Sequence, residues 1–210
     1  MTLESSKTLG GVGAILVVIG SLGFFGSNYV GLLSLIGVIL VLIALKGLSD
    51  HYNEGGIFNN TLYGFIAAII GGVVFVAVLV MTVVTAISTL GISDWTEWAM
   101  QVQQNITDWN AFWALVEPIV IGILVAFIVL FVFFIITAIF FRKSLSTLSM
   151  KSGEKIFGTA GLLWLIGAIL TIIVIGFILI WIAWILIAVG FFSIKTTAAQ
   201  QPVTPPPPPP

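Results

Sequence analysis

Residues 9–45 read LGGVGAILVVIGSLGFFGSNYVGLLSLIGVILVLIAL, a run of 37 positions without one charged side chain. As a single helix it would be roughly 55 Å long, nearly twice the ~30 Å hydrocarbon core of a bilayer. One membrane span has no use for that length, and Gly23, Gly26, Ser27 and Asn28 supply a break. The run therefore predicts two spans, 9–25 and 29–46, joined by a tight turn.

The same rule parses the rest of the chain. After a polar loop over 48–60, a third span is predicted over 61–90, long enough to require tilt or projection beyond the bilayer. A fourth is predicted over 118–141. Pro118 suits a first helical position because its missing N–H would find no partner there, and Glu117 before it complements the positive end of the helix dipole. A basic loop follows, RKSLSTLSMKSGEK. The uncharged run from Ile156 to Ile194 is again too long for one span, which predicts a hairpin of spans 157–175 and 177–194 turning near Gly176.

Composition agrees: 60% of the 210 residues are hydrophobic, 7% are charged, and the mean hydropathy is +1.24. These values lie far outside the usage of soluble domains. The fold class they predict is an all-α polytopic membrane helix bundle, about six transmembrane helices in three hairpins, forming one domain over 1–195. Residues 196–210, ending in QPVTPPPPPP, are expected to be a disordered tail, because proline cannot donate to a helix or a sheet edge. A net charge of −1 without clustered Lys and Arg excludes a nucleic-acid surface, and zero cysteines exclude disulfides and thiolate chemistry.

The charges also set an orientation. With six spans, all seven basic residues fall on the side of the termini: Lys7, Lys46, Arg142, Lys143, Lys151, Lys155 and Lys195. The other side receives Asp94, Glu97, Asp108 and Glu117 and no cation. Short loops rich in Lys and Arg stay cytoplasmic, so the expected location is the cell membrane with both termini in the cytoplasm. The two terminal hairpins look like copies: KTLGGVG at 7–13 matches KIFGTAG at 155–161, with the lysine and two glycines in register. A duplicated first hairpin is a structural one, which argues against a cleaved signal peptide.

Four segments carry a family likeness: LESSKTLGGVG at the start, IALKGLSDHYNEGGIFNN at 43–60, and KSGEKIFGTAGLLWLIGAIL and WIAWILIAVGFFSIK near the end. Over roughly residues 3–195 the chain resembles the mainly archaeal membrane family known as domain of unknown function 996. The likeness is weakest between about 75 and 135. It implies an archaeal membrane location and carries no catalytic or binding residue onto this chain.

No residue is assigned a catalytic, cofactor-binding or metal-binding role. SDHYNE at 49–54 gathers oxygen and imidazole groups, but a lone histidine in a polar turn makes a poor metal site. The informative segment is SDWTEWAMQVQQNITDWNAFW at 93–113. It holds four of the seven tryptophans and no Lys or Arg. A single outer helix over 94–115 would align Trp95, Trp98, Val102, Ile106, Trp109 and Trp113 on one stripe, with Asp94 and Glu97 spaced as a capping box. Tryptophan favours the membrane–water boundary and also anchors protein partners. Asn105-Ile-Thr107 is a glycosylation sequon in the same segment. Gly64, Ala68 and Gly72, four residues apart on span three, are candidates for close helix packing, within the chain or in a homo-oligomer.

The functional expectation is a non-enzymatic scaffold or interaction protein in the lipid bilayer, presenting a Trp-rich acidic helix to an external protein. The alternative is a transporter or channel for a small or apolar solute, with its path between the two terminal hairpins. Since the chain lacks cysteine, single cysteines at Asn53, Ser149 and Asn105 test the orientation. A membrane-impermeant thiol reagent on intact cells labels only position 105, and labelling at 53 or 149 contradicts the six-span topology.

Overall fold

The computed structural model describes residues 1–23, 28–90, 95–105 and 108–195. It is all-helical in its regular elements: α1 (Leu3–Leu22), α2 (Asn28–His51), α3 (Gly55–Leu90), α4 (Trp95–Asn105), α5 (Trp109–Ser152), α6 (Lys155–Leu170) and α7 (Ile175–Ser193). Six of these, all but α4, contain a stretch long and apolar enough to cross a membrane. The chain is a multi-pass membrane protein. The expected break at 24–27 and the proline-rich tail lie outside the described residues.

The chain forms two compact units, one of Met1–Thr61 with the stretch from Phe141 onward, the other of Leu62–Phe140. In the first unit α1 and α2 meet backbone to backbone. A Cβ on Gly13 would fall on the Gly37 carbonyl oxygen, and one on Gly37 would fall on that of Gly13. Lipid exerts no hydrophobic push between helices, so such close approach, with its dispersion contacts, is what holds them together. The terminal hairpins are joined in the same way, since a Cβ on Gly10 would overlap the Phe191 ring. Lys7 Nζ donates to Ile194 O at 3.0 Å, tying the first helix to the last, and Trp181 Nε1 donates to Val18 O at 3.3 Å. Phe141 stacks at a tilt against Trp164 and Trp184, with ring centroids 5.4 and 5.6 Å away.

The hairpin of α6 and α7 turns through a 3₁₀ turn at Thr171–Ile173 and Val174, whose φ of 68° is costly for a β-branched residue. Gly176 sits two residues later, where a Cβ would collide with the Gly167 carbonyl oxygen. The turn thus falls just before the glycine that marked it in the sequence.

In the second unit α3 and α5 run antiparallel. Their register is fixed by Tyr63 against Phe140 (5.8 Å), Thr137 Oγ1 donating to Gly64 O (3.2 Å), Phe75 against Phe127 (5.5 Å), and Gly122 beside Thr82. At 36 and 44 residues these helices are about 54 and 66 Å long, well beyond a ~30 Å hydrocarbon core.

Three expectations are corrected. The segments read as polar loops at 48–60 and 142–156 are mostly helix: α2 continues to His51, α3 begins at Gly55, and α5 continues to Ser152. Leu48, Ile57, Leu145 and Leu148 are fully buried and anchor one face, so the polar residues are the other face of continuing helices. Thr147 and Ser152 donate back to the carbonyls of Lys143 and Leu148 (2.9 and 2.7 Å), which satisfies hydroxyls without breaking the helix. Second, the single outer helix over 94–115 is divided, because Asp108 caps α5. Its Oδ1 accepts from the backbone N–H groups of Asn110 and Ala111 at 3.0 and 3.3 Å, the geometry of a residue outside its helix. Third, within the chain the packed row of α3 runs through Gly64, Ala67 and Gly71 rather than Gly64, Ala68 and Gly72. Gly64, Ala67 and Gly71 are buried, Ala68 is exposed, and a Cβ on Gly72 would meet nothing within 4 Å.

Candidate functional site

Two corners with the same construction face each other in the first unit. At the α2–α3 corner, Ser49 Oγ donates to Glu54 O (2.9 Å), Glu54 N donates to Ser49 O (2.9 Å), and Asn53 takes φ 50°. At the α5–α6 corner, Ser149 Oγ donates to Glu154 O (3.0 Å), Gly153 N donates to Ser149 O (3.1 Å), and Gly153 takes φ 76°. Asn and Gly are the residues that tolerate a left-handed conformation at a helix end. Each glutamate then starts the next helix: Ile57 N donates to Glu54 O and Phe157 N to Glu154 O, at 3.2 and 3.3 Å. The corners are written LSDHYNE at 48–54 and LSMKSGE at 148–154, with Leu, Ser, the left-handed residue and Glu in one register. The recurrence is legible in the sequence at a spacing of 100 residues.

The corners are held together by charge. Lys151 Nζ lies 3.1 Å from Glu54 Oε2, with both side chains partly open to water. The Lys151 ammonium, first through its hydrogen bond and then through its charge, holds the Glu54 carboxyl below its usual range, and the Gly56 N–H contributes. Burial, and then the negative charge of Glu154, push the Tyr52 phenol above its usual value. Beneath the ion pair, Thr61 Oγ1 donates to Ser144 Oγ (2.6 Å), which donates to Ile57 O (2.5 Å), a buried chain linking α3 to α5. Within SDHYNE, Asp50 pairs with Lys46 (2.6 Å) and His51 meets the Tyr52 ring edge-on (5.0 Å). Asp50 and Glu54 are thus each engaged by a lysine.

The tryptophan stripe is only partly described. Trp95 and Trp98 lie on α4, their side chains outside the described residues, as are Ser93, Asp94, Ile106 and the side chain of Asn105. Val102 is half-buried on α4. Trp109 and Trp113 stand on the first turns of α5, stacked at 6.0 Å and 16°, and are 69% and 41% exposed. Phe112 lies 6.0 Å from Trp109. The break at Asp108 places these two rings on a different helix from Trp95, Trp98 and Val102.

A third feature is a groove between α3 and α5, with a volume of about 470 Å³. Val78, Met81 and Thr85 on α3 face Pro118, Ile121 and Val125 on α5 across it. It is apolar apart from the Thr82 and Thr85 hydroxyls, and Thr82 Oγ1 donates to Val78 O at 2.8 Å.

A family described as "Protein of unknown function (DUF996)" matches residues 33–185. The chain belongs to this family. It is also 30% identical over 195 residues to an uncharacterised protein of Methanocaldococcus jannaschii, covering 92% of this chain and 94% of that one. No solved structure matches. The family match begins before the first corner and ends after the second, so both corners, the Trp109–Trp113 pair and the groove lie within it.

The two titrating groups at the corners predict opposite pH limbs. Glu54 is depressed in the folded state, so its contribution is present above its unfolded pKa and is lost as pH falls through the folded value. Tyr52 is raised, so its contribution is present below its unfolded pKa and is lost as pH rises through the folded value. Thermal melts across pH should therefore show Glu54→Gln flattening only the acid limb and Tyr52→Phe only the alkaline one. The Glu54 effect should be small, as for other exposed ion pairs.

Proposed function

We propose that this chain is a non-enzymatic membrane scaffold of the cell membrane, with both termini cytoplasmic, that meets an external protein through its outer aromatic surface. The observation that carries the reading is the Trp109–Trp113 pair. Two large rings stacked on each other and still largely exposed form a rigid apolar platform at a helix start. Tryptophan is the residue most enriched among binding anchors because it supplies area at small entropic cost. The platform lies between Lys46 and Arg142, a stretch without any cation, which favours a partner over anionic lipid heads. Alternation of the six spans, with all seven basic residues at the ends shared with the termini, supports the orientation. The matched KTLGGVG and KIFGTAG segments support a duplicated pair of terminal hairpins.

The transport alternative needs room between those hairpins. There Gly10 admits the Phe191 ring and Gly11 the Phe192 ring so closely that a methyl group would not fit. This favours a structural role for the terminal hairpins over a path.

The reading is tested by replacing Trp109 and Trp113 with alanine and crosslinking intact membranes. Each buried tryptophan anchor is worth about 2 kcal/mol or more, so partner recovery should fall at least ~10-fold while insertion is unchanged. If recovery of outer partners is undiminished, the pair is a bilayer-surface element and the scaffold reading loses its support.

A further inference from the structure

We propose that the groove between α3 and α5 binds a single-chain amphiphile with an ammonium head, entering from the bilayer. The inference stands independently of the scaffold reading. The floor of the groove is apolar: Val78, Met81, Ile121 and Val125 offer an alkyl chain only hydrocarbon and thioether neighbours. From Val74 to Thr85 it runs along three turns of α3, roughly 16 Å. Its volume lies within the range of small-molecule pockets.

The polar groups gather at one end and offer acceptors. Pro118 lines that end and has no N–H, so the carbonyl of Ala114, one turn earlier, lacks its i+4 helical donor. Thr85 is exposed there on the facing helix. Glu117 precedes Pro118 and is exposed. Nothing in the unit can neutralise it: residues 62–140 hold four acidic residues (Asp94, Glu97, Asp108 and Glu117) and no Lys, Arg or His. The Thr85 hydroxyl lines this end of the groove, the Ala114 carbonyl points along α5 toward the lining Pro118, and the Glu117 carboxylate is next to Pro118 in the chain; together they match a head that donates hydrogen bonds and carries positive charge. An anionic head would meet repulsion from Glu117 and find no cation in the unit.

The test uses the full-length protein in liposomes and two photoreactive probes of equal chain length, one a primary alkylammonium and the other an alkyl sulfate. Crosslinked peptides are mapped by mass spectrometry. The ammonium probe should label residues 74–85 and 118–125 at least tenfold more than the sulfate. Ala77→Phe, which fills the groove from an exposed lining position, should reduce that labelling at least tenfold. Glu117→Gln, an isosteric change at an exposed site, should reduce it at least fivefold. Equal capture of the two probes marks ordinary lipid contact and overturns the proposal, as does undiminished ammonium capture in either variant.

Discussion

Helices in lipid gain nothing by hiding apolar surface from their surroundings, since lipid tails are as apolar as leucine. What is left is dispersion at short range and the few hydrogen bonds a side chain can reach. The contact of Gly13 with Gly37 meets that constraint in its simplest form, with two backbones so close that neither position accepts a methyl group. The Phe191 ring against Gly10 follows the same logic, exchanging a side chain on one helix for a fitted ring from another. Where small residues are absent, hydroxyls serve, as in the buried chain from Thr61 through Ser144 to the Ile57 carbonyl.

Close packing alone does not set the order of the helices, and the two corners supply that. A serine returning to the carbonyl of the glutamate five residues later closes each turn, and a left-handed Asn or Gly lets the chain reverse. The ion pair of Lys151 with Glu54 then joins one corner to the other. The pair is worth little by itself in water. Its significance lies in register, since it brings together helix ends about 100 residues apart in the chain.

Much of this architecture was legible in the sequence because span length is a hard limit: the 37 uncharged residues at 9–45 could only be two helices. The polar helix ends were not legible as helix. Polarity was read as loop at 142–156, although Leu145 and Leu148 already marked a buried face three residues apart. Asp108 misled in the opposite sense. It stands inside the helical pattern of 94–115, yet its side chain terminates that pattern by capping α5. On α3 the four-residue spacing of Gly64, Ala68 and Gly72 was correct as a motif but followed the wrong row, because facing positions also recur at three residues and the packed row runs through Ala67 and Gly71. Which row is used depends on the partner helix, and no single-chain pattern contains that. The groove likewise depends on the pairing of α3 with α5.

All seven cations of the chain fall at or before Lys46 and at or after Arg142, and the stretch between is acidic and aromatic. The central claim is that backbone contact at glycine holds the first unit together. Because the native chain has no cysteine, spin labels can be placed at the exposed positions Val12 and Ile39 on α1 and α2 and their separation measured by pulsed electron resonance in liposomes. The native chain should give one short, narrow distance distribution, and Gly13→Leu should lengthen and broaden it as the Leu side chain displaces Gly37, Leu40 and Val41. A broad distribution in the native chain, or one that Gly13→Leu leaves unchanged, would contradict the account.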